Sequence, residues 1–190
     1  MPSPETTAPP PIPPVAADAR TSLGPTLAEI TDASPVLLLF LRHFGCTFCR
    51  EAASDIARDR DTLAERGVTP CFVYMPGTPH DPTTDQQAAA DRKAQRFFAR
   101  YGLQDLPRIP DPTQALYHAF ELKRGSLAQL FGPRVWLRGF SAGVLHKHGV
   151  GTLTGDGFQM PGAFILHNRR ILHAYRHHSA ADRPDYCELV

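Results

Sequence analysis

VLLLFLRHFGCTFCRE, residues 36–51, decides how this chain is read. Its first six residues, Val36 to Leu41, are apolar without interruption, which suits a central strand covered on both faces. The run stops at Arg42-His43-Phe44-Gly45, and a helical pattern follows at once. There Cys49, Ala52, Ala53, Ile56, Leu63 and Ala64 recur near helical spacing, while Glu51, Asp55, Arg58, Asp59 and Glu65 mostly point elsewhere. Gly67 is placed to end the helix. Cys46 and Cys49 thus fall where a strand ends and a helix begins, and sites in open α/β sheets gather at that end of the strands. A helix start stabilises a thiolate through its free N–H groups and the positive end of its dipole, so that the first thiol of such a motif titrates near ~7 instead of ~8.5. Two intervening residues let the sulfurs meet without unwinding the helix. The pair can cycle between dithiol and disulfide.

Working outward, a helix is expected over Thr26 to Thr31 and a second strand over Val68 to Met75. A long helix follows from Thr83 to Tyr101, with capping-box spacing at Thr84 and Gln87 and an apolar stripe of Ala90, Ala94, Phe97, Phe98 and Tyr101. Leu106 to Ile109 reads as a short strand, and Asp111-Pro112 as the cap and first turn of a helix toward Phe120. Ser126–Phe131 and Pro133–Leu145 are further helical candidates. Ala163–His167 and Arg170–His177 form a hairpin through Asn168-Arg169, since Asn tolerates the left-handed backbone of a two-residue turn. A short helix is expected after Pro184. The order implies an α/β domain with a mixed sheet, flanking helices and a C-terminal β-hairpin.

Seven of the nineteen prolines lie in the first fourteen residues, MPSPETTAPPPIPP. Such a segment lacks backbone donors and has little to bury, so residues 1–19 read as a disordered tail ahead of a single domain over 20–190. The net charge is +1 with no long basic run, which gives no electrostatic case for nucleic acid or an anionic membrane as partner. The longest apolar run is far short of the ~20 residues of a spanning helix, and the N-terminus, with no basic stretch followed by an apolar one, does not read as a secretory signal. A cytoplasmic protein is expected.

A Cys-x-x-Cys is also half of a zinc site, for which Cys71 or Cys187 and the histidines would have to supply two more ligands. No second Cys-x-x-Cys exists, and the strand-to-helix setting favours the redox reading. Cys71, inside VTPCFVYM, reads as a small core residue and Cys187 as an ordinary cysteine, although it could resolve an intermediate. Trp136 reads as core. Arg42 could lower a thiol pKa electrostatically, and His43, Glu51 or water are the candidate bases, since the strand LLLFL carries no acid.

The segment LRHFGCTFCRE, with DPTQALYHAFELKRG, GDGFQMPGAFIL and ADRPDY downstream, resembles the peroxiredoxin-like branch of the AhpC/TSA superfamily. Within it the match is to SelL-related redox proteins, over residues 20–189. The resemblance implies a thioredoxin-like fold and a thiol redox role with catalytic Cys46 and Cys49. In a thioredoxin-type layout, Met160-Pro161 ahead of the strand at Ala163 implies a cis proline facing the cysteines, its loop binding substrate backbone. The chain departs from the peroxiredoxin pattern Pro-x-x-x-Thr-x-x-Cys: aligned on Cys49, it has Arg42 for the proline and Cys46 for the threonine. The leading expectation is that Cys46 attacks a disulfide and Cys49 resolves the mixed disulfide. No cofactor is then needed beyond an external thiol donor such as a thioredoxin or glutathione system. Reduction of peroxides through a sulfenic acid, and a non-enzymatic redox-sensing or binding module, are the alternatives.

Overall fold

The computed structural model describes residues 8–77, 83–125, 158–179, 182 and 184–190. The expected helices over Ser126–Phe131 and Pro133–Leu145, together with Trp136, lie outside the described residues. In chain order the elements are α1 (Pro14–Ala17), α2 (Leu27–Ala33), β1 (Val36–Leu41), α3 (Thr47–Arg58), α4 (Arg60–Glu65), β2 (Thr69–Tyr74), α5 (Thr84–Arg100), β3 (Arg108–Pro110), α6 (Ala115–Ala119), β4 (Gly162–His167) and β5 (Arg170–Arg176). Among the described residues no helix is long and apolar enough to cross a membrane.

The strands form one sheet in the order β3-β2-β1-β4-β5. β1, β2 and β3 are parallel, whereas β4 runs antiparallel to both β1 and β5, so the sheet is mixed. The apolar run Val36–Leu41 is therefore the middle strand, and all six of its side chains are buried. Alternation along it divides the core in two. Leu37, Leu39 and Leu41 face Ala53 and Ile56 of α3 and Phe98 of α5, while Val36, Leu38 and Phe40 face Leu27, Tyr117, Phe120 and Phe164. Phe40 sits in an aromatic nest, with ring centroids 5.0 Å from Tyr117, 5.1 Å from Phe120 and 5.6 Å from Phe164. The β4–β5 hairpin turns through Asn168 and Arg169, both in the left-handed region at φ 49° and 59°.

Several expectations need correction. The proline-rich segment is not a free tail from residue 8 onward. Pro13 and Pro14 open α1, a position where a missing N–H costs nothing. Ile12 and Ala16 are buried, and the chain around them pairs with the hairpin through Ile12 N–H to the Arg169 carbonyl (2.9 Å) and Ile171 N–H to the Pro10 carbonyl (2.8 Å). The capping box of α5 uses Thr83 and Gln86, one residue earlier than Thr84 and Gln87. After Pro184 the chain makes a turn at residues 186–189 and no helix. Glu51 and Asp55 do not face solvent; both are buried.

Asp111 is not the N-cap and Pro112 is not in the first turn: α6 starts at Ala115 after Gln114, and Asp111 reaches its N–H groups from outside the helix. Its carboxylate accepts from the N–H groups of Ala115 (3.0 Å), Leu116 (2.8 Å) and Tyr117 (3.3 Å), while Gln114 bends left-handed at φ 60° to start α6. The Tyr117 hydroxyl in turn donates to the Leu41 carbonyl, at the end of β1 just ahead of Arg42. Replacing Asp111 by Ala leaves three helix N–H groups without that acceptor. We expect Asp111→Ala to cost about 1–3 kcal/mol, read as a lower denaturant midpoint with an unchanged slope. An unmoved midpoint would mean that water replaces the carboxylate.

Candidate active site

β1 delivers the chain to the site, and a tight turn starts the helix: Cys46 N–H donates to the His43 carbonyl at 3.0 Å, and Arg50 N–H to the Cys46 carbonyl at 3.1 Å. Cys46 is the N-cap of α3, with extended backbone, and Cys49 sits in the first turn. Both are reduced and almost fully buried, Cys46 at 7% exposure and Cys49 at 3%. Cys46 is thus the outer sulfur only by a small margin.

The two thiols are made unequal by their surroundings. The Cys49 thiol donates toward the Cys46 sulfur, and this contact is the main reason the Cys46 pKa is lowered to about 6. Burial opposes the shift. The Arg42 guanidinium, with Nη1 3.8 Å from the Cys46 sulfur, assists it, as do the N–H groups of Cys49 and Phe48 at the helix start. Neither N–H closes a capping hydrogen bond of strict geometry, so their help is electrostatic. Cys49 is driven the other way, first by burial and then by its bond to Cys46 and the nearby Cys46 charge. Its sulfur also receives the Arg42 backbone N–H at 3.2 Å. One thiolate at Cys46 and one protonated thiol at Cys49 is the favoured state at neutral pH.

Of the residues singled out in the sequence, the structure brings Arg42, His43, Cys46 and Cys49 together. His43 is buried, Nδ1 has no hydrogen-bond partner, and burial, followed by Arg42, Lys93 and Arg50, pushes its pKa to about 4. It is neutral at pH 7. Pro161 lies beside Cys49, both lining a water-sized cavity of about 20 Å³ that also touches Arg42, Glu51, His177 and Asp182. The Met160-Pro161 bond is trans, not cis: no cis peptide occurs among the described residues. A trans proline is accommodated here because β4 begins only at Gly162, and the Pro161 carbonyl accepts His177 N–H (3.4 Å). Met160 is buried with its N–H donated to the Lys123 carbonyl (3.1 Å), so that donor is not open to a substrate. Cys71 is a fully buried β2 residue, as read from the sequence, and Cys187 lies half-buried in the C-terminal turn. Among the described residues, no group of three or more His, Cys, Asp or Glu is placed to hold a metal ion.

Sequence reasoning missed His177 and Asp182 beside the cavity. Burial holds the His177 pKa down to about 4 against the pull of Asp182. His177 follows the last residue of β5 and carries no periodic signal; only the return of the C-terminal segment against α3 reveals its place. A second hollow, lined by Phe44, Gly45, Arg50, Lys93, Arg96, Phe97, Arg100 and Tyr101, opens on the other side of the cysteine turn.

Residues 87–179 match the AhpC/TSA antioxidant enzyme family. That stretch begins after the cysteine segment, so the geometry above is what speaks for Cys46 and Cys49. No curated protein matches the chain. Solved structures of similar fold include a Chlorobium tepidum protein assigned as the thiol:disulfide interchange protein DsbE (15% identity, TM-score 0.53, covering 88% of this chain and 83% of that one). The bacterioferritin comigratory protein of Xanthomonas campestris is similar at 15% identity and TM-score 0.53, over 87% of this chain and 84% of its own. Peroxidoxin BcpB of Mycobacterium tuberculosis is similar at 17% identity and TM-score 0.52, over 90% and 84%. The fold of the chain is thioredoxin-like, and its residues 87–179 are similar to the AhpC/TSA antioxidant enzymes.

Proposed function

We propose that this protein is a cytosolic thiol oxidoreductase that reduces disulfides with the Cys46–Cys49 pair. The observation that carries this reading is the unequal pair at one helix start, a low-pKa sulfur at Cys46 bonded to a protonated thiol at Cys49. The Cys46 thiolate attacks one sulfur of the substrate disulfide and expels the other as a thiolate. Cys49 then gives up its proton, attacks Cys46 in the mixed disulfide and releases the second substrate thiol. Two electrons pass from the protein to the substrate, and an external thiol donor returns them. Neither step calls for a metal or organic cofactor. The cavity behind Cys49, with Glu51 and a neutral His177 on its wall, supports the proton step, because Cys49 must ionise only in the second stage.

Peroxide reduction is the second reading. It is favoured by the AhpC/TSA match and by the bacterioferritin comigratory protein, which is described for its alkyl peroxide reduction activity. Cys46 occupies the place where the peroxiredoxin pattern has a threonine hydroxyl, and this argues for disulfide exchange first. The test is a single-turnover comparison: reduced protein is mixed with a small disulfide or with hydrogen peroxide, and the protein disulfide is followed by peptide mapping. Stoichiometric Cys46–Cys49 bond formation is expected with the disulfide, and reaction with peroxide at the rate of an ordinary thiol of the same pKa. A peroxide rate orders of magnitude above that would establish the second reading. Failure of the bond to form with either oxidant would defeat both.

A further inference from the structure

The hollow beside the cysteine turn is cationic. Its volume is about 210 Å³, and its walls carry four cationic side chains, Arg50, Lys93, Arg96 and Arg100, with no acid among the lining residues. The whole chain has a net charge of only +1, so this concentration is local. Lys93, Arg96 and Arg100 stand at i, i+3 and i+7 on α5 and so share one face of that helix. Among the described residues none of these three has an ion-pair partner. The floor is aromatic: Phe44 stacks on Phe97 with centroids 4.5 Å apart at 24°, and Arg50 Nε donates to the Phe44 carbonyl at 3.0 Å. The field reaches neighbouring groups as well. Lys93 and Arg50 help depress His43, and Arg96, after burial, helps lower Lys93.

Phe44 and Gly45, which wall the hollow, immediately precede Cys46, so that wall is joined to the nucleophilic residue by one or two residues, roughly 4–8 Å between α-carbons. Lys93, Arg96 and Arg100, held together on one helix face, repel one another, and an anion bound among them relieves that repulsion. Arginine presents a planar fork suited to carboxylates, and the rings supply an apolar bed for the thioether or methylene part of a ligand. We propose that this groove seats the carboxylates of a small anionic disulfide and presents its sulfur to Cys46. The inference rests on the disulfide reading above and names its substrate class. The reaction is protein dithiol plus RSSR giving the Cys46–Cys49 disulfide plus two RSH. One carboxylate-bearing arm leaves as thiolate in the first step and the groove-bound arm leaves in the second.

The test compares three probe disulfides of graded charge, anionic glutathione disulfide, neutral bis(2-hydroxyethyl) disulfide and cationic cystamine, against wild type and the Lys93→Gln/Arg96→Gln variant. Wild type is expected to oxidise fastest with the anionic probe, and added salt should narrow the spread. In the variant the ratio of anionic to neutral rate should fall about tenfold. An unchanged ratio, or an equal fall with all three probes, overturns the inference. Binding of S-methylglutathione, which cannot exchange, separates the two levels of the argument. If wild type binds it, the variant binds it more weakly and no disulfide reacts, the groove stands and the disulfide chemistry fails. If wild type reacts but neither binds S-methylglutathione nor favours the anionic probe, the groove fails alone.

Discussion

Cys46→Ser should abolish reaction with disulfides, lowering the single-turnover rate by about a thousandfold or more, to that of a buried thiol. A serine hydroxyl is not ionised at neutral pH, and the remaining Cys49 is held protonated by burial. Cys49→Ser should behave differently. Cys46 keeps the Arg42 guanidinium and the helix start, so it still attacks, but no resolving thiol follows and a stable mixed disulfide accumulates. Its reactivity should shift upward in pH, because the donated Cys49 hydrogen bond is the largest single cause of the lowered Cys46 pKa. In wild type the rate should fall as pH drops through about 6, where the Cys46 thiolate gains its proton. Thiol titration of the two variants, with mass spectrometry of the trapped adduct, measures each point. Full disulfide reactivity in Cys46→Ser would reverse the assignment of nucleophile and resolver.

How much of this was legible in the residues depends on the range of the interaction. Val36–Leu41 and the cysteines after it are a local pattern, and the structure places that run as the middle strand with Cys46 at the helix cap. The hairpin at Asn168-Arg169 is local too. Long-range packing was not readable. Glu51 and Asp55 occupy positions that read as the polar side of α3, yet both are buried. Asp182 and Tyr186, far along the chain, come back to the cavity that Glu51 lines. The proline-rich segment was misjudged because proline count was weighed above the two side chains, Ile12 and Ala16, that it buries. Lys93, Arg96 and Arg100 look like an ordinary solvated helix face, and they become a groove only when Phe44 and Gly45 close its other side.

Acid should destabilise the fold between pH 6.5 and 4. His43 and His177 have an ordinary pKa of 6.5 when unfolded and about 4 when folded, each lowered first by burial. As pH falls through this window the unfolded chain takes up two protons that the folded chain resists, so ΔG of unfolding falls with pH. The stabilisation is complete above 6.5 and gone once both rings are protonated in the fold. Allowing for partial contact with solvent, each ring accounts for on the order of 2 kcal/mol. Burial sets the sign, and the groups facing the rings adjust its size. Arg42, Lys93 and Arg50 reinforce the shift at His43, while at His177 the pull of Asp182 is outweighed by burial. Other titrations lie largely outside the window. Cys46, lowered from 9.0 to about 6, loses its contribution as pH falls from 9 toward 6, whereas Asp32, Asp105 and Asp182 act below their ordinary 3.8. Buried Asp111, whose pKa is raised, works in the opposite direction and reduces the total. Denaturant unfolding at pH 6 and 4.5, below the range in which Cys46 contributes, should therefore differ by roughly 2 kcal/mol in wild type. His43→Gln/His177→Gln should be nearly level across the same interval. A wild-type midpoint that does not move would mean that both rings are protonated in the native state, which would also remove the neutral His177 from the proton path of Cys49.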